Sequence, residues 1–304
     1  MSTKSIRKKS RLNQTSFKAN AIINGFFILY SAACILPLLL VIAVSFTSEK
    51  ALAISGYSFI PKEFTFDSYK FVFNLGDAIV RAYGITILVT VVGTIISTMV
   101  ISMYAYPISR KDFRYKGFFS FIVFFTMIYN SGLVPWYVVY ANILHLKDNI
   151  LVYIIPMVVN TWYVLIMRTF YKLTIPDAII ESSKIDGAGE FRTFVQIVLP
   201  LSLPGIATIS LFQCLNYWND WFIALMFIEN NKLFNLQYLL YQILNTIQFL
   251  ASVSGRGGKI DLSKIPNESA RMAMAVVVMG PIIFIYPFFQ KYFIKGLTVG
   301  AVKG

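Results

Sequence analysis

The chain has 304 residues, of which 57% are hydrophobic, 16% aromatic and only 13% charged. With a mean hydropathy of +0.66, it carries too few charged side chains to solvate a soluble domain of this size, and its composition points to an integral membrane protein. A net charge of +13 comes with no nucleic-acid-binding signature and no basic soluble domain, so it reads as membrane topology and contact with anionic lipids.

A helix crossing the roughly 30 Å hydrocarbon core needs about 20 apolar residues. Residues 21–46, 82–109, 117–144, 149–167, 193–219 and 272–290 all lack Asp, Glu, Lys and Arg. They predict an all-α protein with six transmembrane helices, organised as a basic arm over 1–20, one membrane domain over 21–296 and a tail over 297–304. The first stretch exceeds the roughly 7–15 apolar residues of a signal-peptide core and is expected to stay as an anchor. In the third lie Tyr129, Asn130, Trp136, Tyr137 and Tyr140; the fourth carries Asn160, Trp162 and Tyr163.

Residues 172–200, between the fourth and fifth spans, contain the longest mixed-charge run, Glu181-Ser182-Ser183-Lys184-Ile185-Asp186-Gly187-Ala188-Gly189-Glu190. Pro176-Asp177 is a helix start, because proline suits the first turn and an acid complements the exposed N–H groups there. A short helix with a small, flat surface should follow. Gly187 and Gly189 permit either a sharp turn or a close approach. A second helical piece, Phe191 to Val198, leads to Pro200 and Pro204, which turn the chain into the membrane. Such a helix-turn-helix is either a docking element or a solvated loop.

The fifth span is expected to start near Pro200 and run through Asp220 to about Ile228, carrying Gln213, Asn216, Tyr217, Trp218 and Asn219. An acid within a span is costly and must face a cavity or a partner. Counted from Ser202, Asp220 lies about 27 Å up the helix, towards the outer mouth. It either contacts a ligand or makes a structural hydrogen bond to Asn216. In the outer loop, 229–271, Leu233, Leu236, Leu240, Ile243, Leu244, Ile247 and Leu250 recur at helical spacing among Asn and Gln. They predict an amphipathic helix at an interface or against a partner, not a seventh span.

Orientation follows from the basic residues near the span ends. The arm, the second-to-third loop (Arg110, Lys111, Arg114, Lys116), the 172–200 region and the tail fall on one side and hold the larger share of the Lys and Arg. Both termini are therefore expected to be cytoplasmic.

Glu181, Asp186-Gly187-Ala188, Phe194, Ile197, Leu199 and Pro200 match the EAA loop, E-A-A, three residues, G, then I-x-L-P, with Ser182 and Ser183 in place of two alanines. Tyr106-Pro107-Ile108-Ser109-Arg110-Lys111, Ser131-Gly132-Leu133-Val134-Pro135 and Trp218-Asn219-Asp220-Trp221-Phe222 are similar to segments of carbohydrate-uptake permeases. By these motifs the chain resembles the membrane-spanning permeases of ABC importers, within them the second permease of importers for polysaccharide-derived oligosaccharides. The resemblance implies the type I ABC importer permease fold and a bacterial plasma-membrane location. It also implies alternating access driven by ATP, with Glu181, Ser182, Ser183, Asp186, Gly187, Ala188, Phe194 and Pro200 coupling the chain to an ATPase. The implied partners are a second permease, two cytoplasmic ATPase subunits that hold ATP and Mg, and an extracellular sugar-binding lipoprotein. This chain would bind no cofactor itself.

Sugars present apolar CH faces and hydroxyls, so their path calls for aromatic platforms and short polar groups. Tyr129, Trp136, Tyr137, Tyr140, Trp162, Asn216, Trp218, Asn219 and Asp220 are the candidates. The alternative is that the rings form an interfacial belt and the amides join neighbouring helices. Gly255-Arg256-Gly257-Gly258 is the nearest approach to a phosphate-binding loop, but no hydroxyl residue follows Lys259 to hold Mg. By the resemblance, this loop contacts the binding protein.

His145 stands alone, and Cys34 and Cys214 lie in separate spans, so neither a metal site nor a catalytic residue is expected. An ion-coupled secondary transporter would want paired halves and midplane ion sites. A membrane enzyme acting on glycan or lipid would want more acids than Asp220.

Overall fold

The structure, a computed structural model, describes residues 17–254 and 268–301. In chain order its helices are α1 (Phe17–Ser45), α2 (Glu49–Ser55), α3 (Asp67–Phe73), α4 (Asp77–Ser109), α5 (Lys116–Ile128), α6 (Leu133–Val138) and α7 (Thr161–Thr174). They continue as α8 (Asp177–Ile185), α9 (Glu190–Thr193), α10 (Leu199–Leu201), α11 (Leu203–Asn219), α12 (Phe222–Phe227), α13 (Leu236–Ser254) and α14 (Glu268–Ala301).

Stretches within α1, α4 and α14 are long and apolar enough to cross a membrane singly. Three helix pairs, bent by 116° (116–128 with 133–143), 50° (150–157 with 161–174) and 81° (190–201 with 203–219), are long and apolar enough when each is taken as one span, which gives six candidate crossings among the described residues. The third and fourth spans, each expected as one crossing helix, are thus broken, the third bend is the turn expected at Pro200 and Pro204, and all three have local causes. After α5 the Asn130 side chain accepts the Gly132 N–H at 2.9 Å, and Gly132 takes a φ of +83°. Pro156 sits in a tight turn before Asn160, whose side chain caps α7 through the Trp162 and Tyr163 N–H groups. The 81° bend falls at Ser202, between Pro200 and Pro204.

α4 is the central helix, packing on α7 and α11, while α14 packs on α1, α3 and α11. Apolar burial drives little helix association inside lipid, so close approach and hydrogen bonds have to hold the bundle. Gly93 supplies the approach: a Cβ there would lie 2.7 Å from the Tyr217 ring. Gly205 does the same beneath Phe170. Gln213 on α11 donates to Ser97 on α4, whose hydroxyl donates to Val158 O at 2.6 Å. Pro281 in α14 has no N–H for the Val277 carbonyl four residues back. Tyr83 of α4 donates its hydroxyl to that carbonyl instead, at 2.6 Å.

α13 departs from expectation. Leu236, Leu240 and Ile247 are buried against the chain's own Val72, Trp218 and Ala273, so its apolar stripe is covered within this subunit. The sequence reading also missed α2, whose Glu49 carboxylate accepts the Glu268 and Ser269 N–H groups at 3.1 Å and caps the start of α14.

Candidate functional site

Two regions carry the candidate residues. The first is the segment 176–201. Pro176 is in extended conformation before α8, and the ending of α8 is set by Gly187. The Ala188 N–H reaches Ser183 O at 2.9 Å and the Gly187 N–H reaches Lys184 O at 3.1 Å, with Gly187 at φ +78°. That pairing is the Schellman ending, which wants glycine in the left-handed conformation. A Cβ at Gly187 would meet nothing within 4 Å, so within this chain the glycine serves the turn and not a close contact. Gly189 has an ordinary φ of −69°.

The two serines at the alanine positions part company. Ser182 is exposed, whereas Ser183 is buried and its hydroxyl shares a 3.1 Å hydrogen bond with Thr193, joining α8 to α9. Phe194 is buried, its ring 5.3 Å from that of Tyr106 on α4. Tyr106 also donates to Glu190 at 3.1 Å. Lys184 bridges Asp112 at 2.7 Å and Glu190 at 2.8 Å, and Lys111 pairs with Asp177 at 2.9 Å. The Lys184 hydrogen bond, helped by the nearby Arg110 charge, pulls the Asp112 carboxyl down to about 2. Likewise the Lys111 hydrogen bond lowers Asp177. This segment is therefore clamped to the α4–α5 turn while Glu181, Ser182, Ile185, Asp186 and Phe191 remain exposed. Ile185 and Phe191 are 86% and 70% exposed, an apolar ridge beside an acid that forms no ion pair among the described residues. Pro200 is exposed at the bend into α11.

The second region lies where α11 ends. The helix stops at Asn219 instead of running on to Ile228, and Asp220 serves the break: its Oδ1 accepts the Ile223 N–H at 3.3 Å and caps α12. Its main-chain carbonyl accepts from Asn235, and its Oδ2 is enclosed without a partner. The alternative of a bond to Asn216 is not realised, since Asn216 donates to Tyr163 at 3.2 Å and to Gln213 at 3.4 Å.

The third-span aromatics converge on one ring. Trp136, Tyr137 and Tyr140 lie 4.9, 5.2 and 6.3 Å from fully buried Phe227 of α12. Trp218 is buried too, its indole N–H donating to Val278 O at 3.2 Å. These four are packed, whereas Tyr129 and Trp162 are 61% and 57% exposed.

Asn219 opens into a cavity of about 400 Å³ lined also by Trp221, Gln237, Tyr241 and Arg271. Trp221 and Tyr241 stack with centroids 4.6 Å apart, Gln237 donates to Asn219 at 3.4 Å, and Arg271 pairs with Glu268 at 3.4 Å. Of this set only Asn219 was expected from sequence. Gln237 and Tyr241 stand four apart on α13, next to Leu240 and Leu244 of the predicted stripe, which line the same cavity, and that spacing was the available signal. Gly255, Arg256, Gly257 and Gly258 lie outside the described residues.

Residues 98–299 match the family described as binding-protein-dependent transport system inner membrane component. The chain is 36% identical over 286 residues to the polygalacturonan/rhamnogalacturonan transport system permease protein YtcP of Bacillus subtilis strain 168, covering 93% of this chain and 97% of that one. It is 28% identical to the arabinooligosaccharides transport system permease protein AraQ of the same organism, over 92% of this chain and 94% of the relative. A crystal structure of a bacterial ABC transporter involved in the import of the acidic polysaccharide alginate contains a similar chain, with a TM-score of 0.76 and 25% identity over 92% of this chain and 99% of the other.

Proposed function

The chain belongs to the binding-protein-dependent transport system inner membrane component family and is a multi-pass permease subunit of an ABC importer of carbohydrate, and on that premise we propose that it passes an oligosaccharide bearing carboxylate groups by alternating access. ATP hydrolysis takes place on a pair of cytoplasmic ATPase subunits, one of which seats the 176–198 segment. A second permease completes the pathway and an extracellular binding lipoprotein delivers the sugar. Both termini are cytoplasmic, so an impermeant thiol reagent should label a cysteine at Gly257 and spare one at Lys303.

The observation that carries this reading is the clamped α8–α9 unit, which precedes the 81° bend into α11 and presents Ile185, Phe191 and Glu181 outward. A solvated loop would not need four ion pairs and a buried hydroxyl pair to hold an apolar ridge in place. Support for the substrate class comes from the stacked Trp221–Tyr241 rings, the Asn219 and Gln237 amides and the Arg271 guanidinium around one cavity. Aromatic faces match sugar CH groups, and a guanidinium matches a carboxylate.

Uptake by the whole complex in vesicles, measured with oligogalacturonide and with a neutral oligomer of the same length, tests it. Uptake should need ATP, and Arg271→Gln should lower uptake of the acidic oligomer more than that of the neutral one. ATP-independent uptake by this chain alone would replace the reading with a secondary transporter.

A further inference from the structure

Between the ends of α4 and α7 and the start of α8 lies a cavity of about 470 Å³ lined by Arg110, Lys111, Lys116, Lys172 and Asp177. Its charges do not balance. Arg110 and Lys111 share Asp177, at 3.6 and 2.9 Å. Lys116 and Lys172 have no ion pair among the described residues, and the charges of both Lys116 and Arg168 act on Lys172. Arg168 stands one turn before Lys172 on α7, and its Nε is enclosed with no partner. Lys116 and Lys172 thus face the cavity with no counter-charge among the described residues, Arg168 adds a third positive charge nearby, and an anion bound there would relieve their mutual repulsion.

Their level in the fold indicates what that anion is carried on. The charge-free stretch of the third span begins at residue 117 and that of the fourth ends at 167, so Lys116 and Arg168 are the first charges beyond the hydrocarbon on adjoining spans. Next to Lys116, α5 presents Phe118, Phe121 and Phe125, which are 63%, 61% and 48% exposed. A ligand with an anionic head at the cations and chains along these rings satisfies both surfaces.

We infer that this cavity is a binding site for a phosphate group, and that its surroundings favour the head of an anionic phospholipid over free phosphate. The phosphate oxygens accept charge-assisted hydrogen bonds from Lys116 and Lys172, which line the cavity, with the Arg168 charge one turn behind Lys172 adding to the attraction. Pro176, Asp177 and Ile180 of the coupling segment line the same cavity. On the reading that this segment seats the ATPase, the bound lipid braces it and raises the sugar imported per ATP hydrolysed.

The test uses the whole importer in nanodiscs of phosphatidylcholine with or without phosphatidylglycerol, with native mass spectrometry of retained lipid. Wild type should retain phosphatidylglycerol, and Lys116→Gln with Lys172→Gln should lose it several-fold. Lys50→Gln with Lys62→Gln, which removes the same charge elsewhere, should keep it. Loss of retention with unchanged coupling would leave the site standing and refute only the bracing role, so the coupling reading is tested apart from the site. Millimolar inorganic phosphate in phosphatidylcholine discs separates the sources: protection of wild type against unfolding by phosphate, absent in the double variant, would assign the site to the free ion. Equal retention by wild type and the double variant, with no response to phosphate, overturns the proposal.

Discussion

Residues 176–201 and the end of α11 are held in place by different means. In residues 176–201 the contacts are mostly polar: the Schellman pair and the Ser183–Thr193 hydroxyls close a small unit on itself, Lys184 ties it to Asp112, 72 residues earlier, and its exposed face is apolar. At the end of α11 the contacts are long-range and aromatic, and Phe227 draws in rings from more than 80 residues earlier in the chain. Rigidity in the first region comes from geometry that one glycine controls. In the second it comes from volume that one phenylalanine fills.

The largest effect should follow from removing that volume. Phe227→Ala empties a fully buried position in contact with Trp136, Tyr137 and Tyr140, and large-to-small changes of this kind cost about 3–5 kcal/mol. The detergent-solubilised complex should melt several degrees lower, with uptake lost as well. Trp221→Ala, at a 39% exposed ring, should leave the melting temperature nearly unchanged while lowering uptake. Equal melting losses in both variants would show that the two aromatic groups are one core, and the distinction between packing and lining rings would fail.

The next effect is sharper in function than in stability. Gly187→Val places a β-branched side chain at φ +78°, and forcing an ordinary residue into the left-handed region costs roughly 1–2 kcal/mol, more when it is β-branched. The turn should reopen, with ATP hydrolysis no longer linked to uptake while insertion and pairing with the second permease persist. Gly189→Ala, at an ordinary φ and with open space around it, should couple normally. If both glycine variants transport like wild type, the geometry of this turn has no part in coupling.

Legibility in the sequence divides along the same line. Six charge-free stretches reveal the six crossings because span length is a one-dimensional property. Pro176, Asp177 and Gly187 reveal α8 because a helix start and stop are written within a few residues. The bends near Asn130 and Pro156 have local causes too, but each lies inside an apolar stretch and hydropathy outweighed the Asn, Gly and Pro signals, whereas Pro200 and Pro204 did mark the turn at Ser202. The α11 end was not legible, because Trp221 meets Tyr241 only once α13 folds back on its own subunit. An amphipathic stripe shows that a helix has a partner without showing which. Trp218 and Trp221 are three residues apart, yet one is buried on α14 and the other lines a cavity. Only the stop of α11 at Asn219 separates them.

The smallest effect concerns the ionic clamp. Asp112 titrates at about 2 instead of its ordinary value near 4, chiefly because Lys184 donates to it. A depressed carboxyl contributes stability that is fully present above the ordinary value and is lost as pH falls through the lowered one. The clamp should therefore be constant from pH 5 to 8 and loosen only between about 4 and 2. Because Asp112 is half-exposed, solvent screening keeps the contribution modest. Nitroxide labels at Arg114 and Ser182, both exposed, would read the separation of the α4–α5 turn from α8. Wild type should keep one narrow distance distribution at pH 5 and above, and broaden on acidification. Asp112→Asn should be broader already at neutral pH, since it removes one of the two carboxylates that Lys184 bridges and leaves Glu190 to hold it alone. A distribution that broadens between pH 8 and 5 would place the controlling group elsewhere. Identical distributions in wild type and Asp112→Asn at neutral pH would mean that Ser183, Thr193 and Phe194 seat the segment without help from the ion pairs.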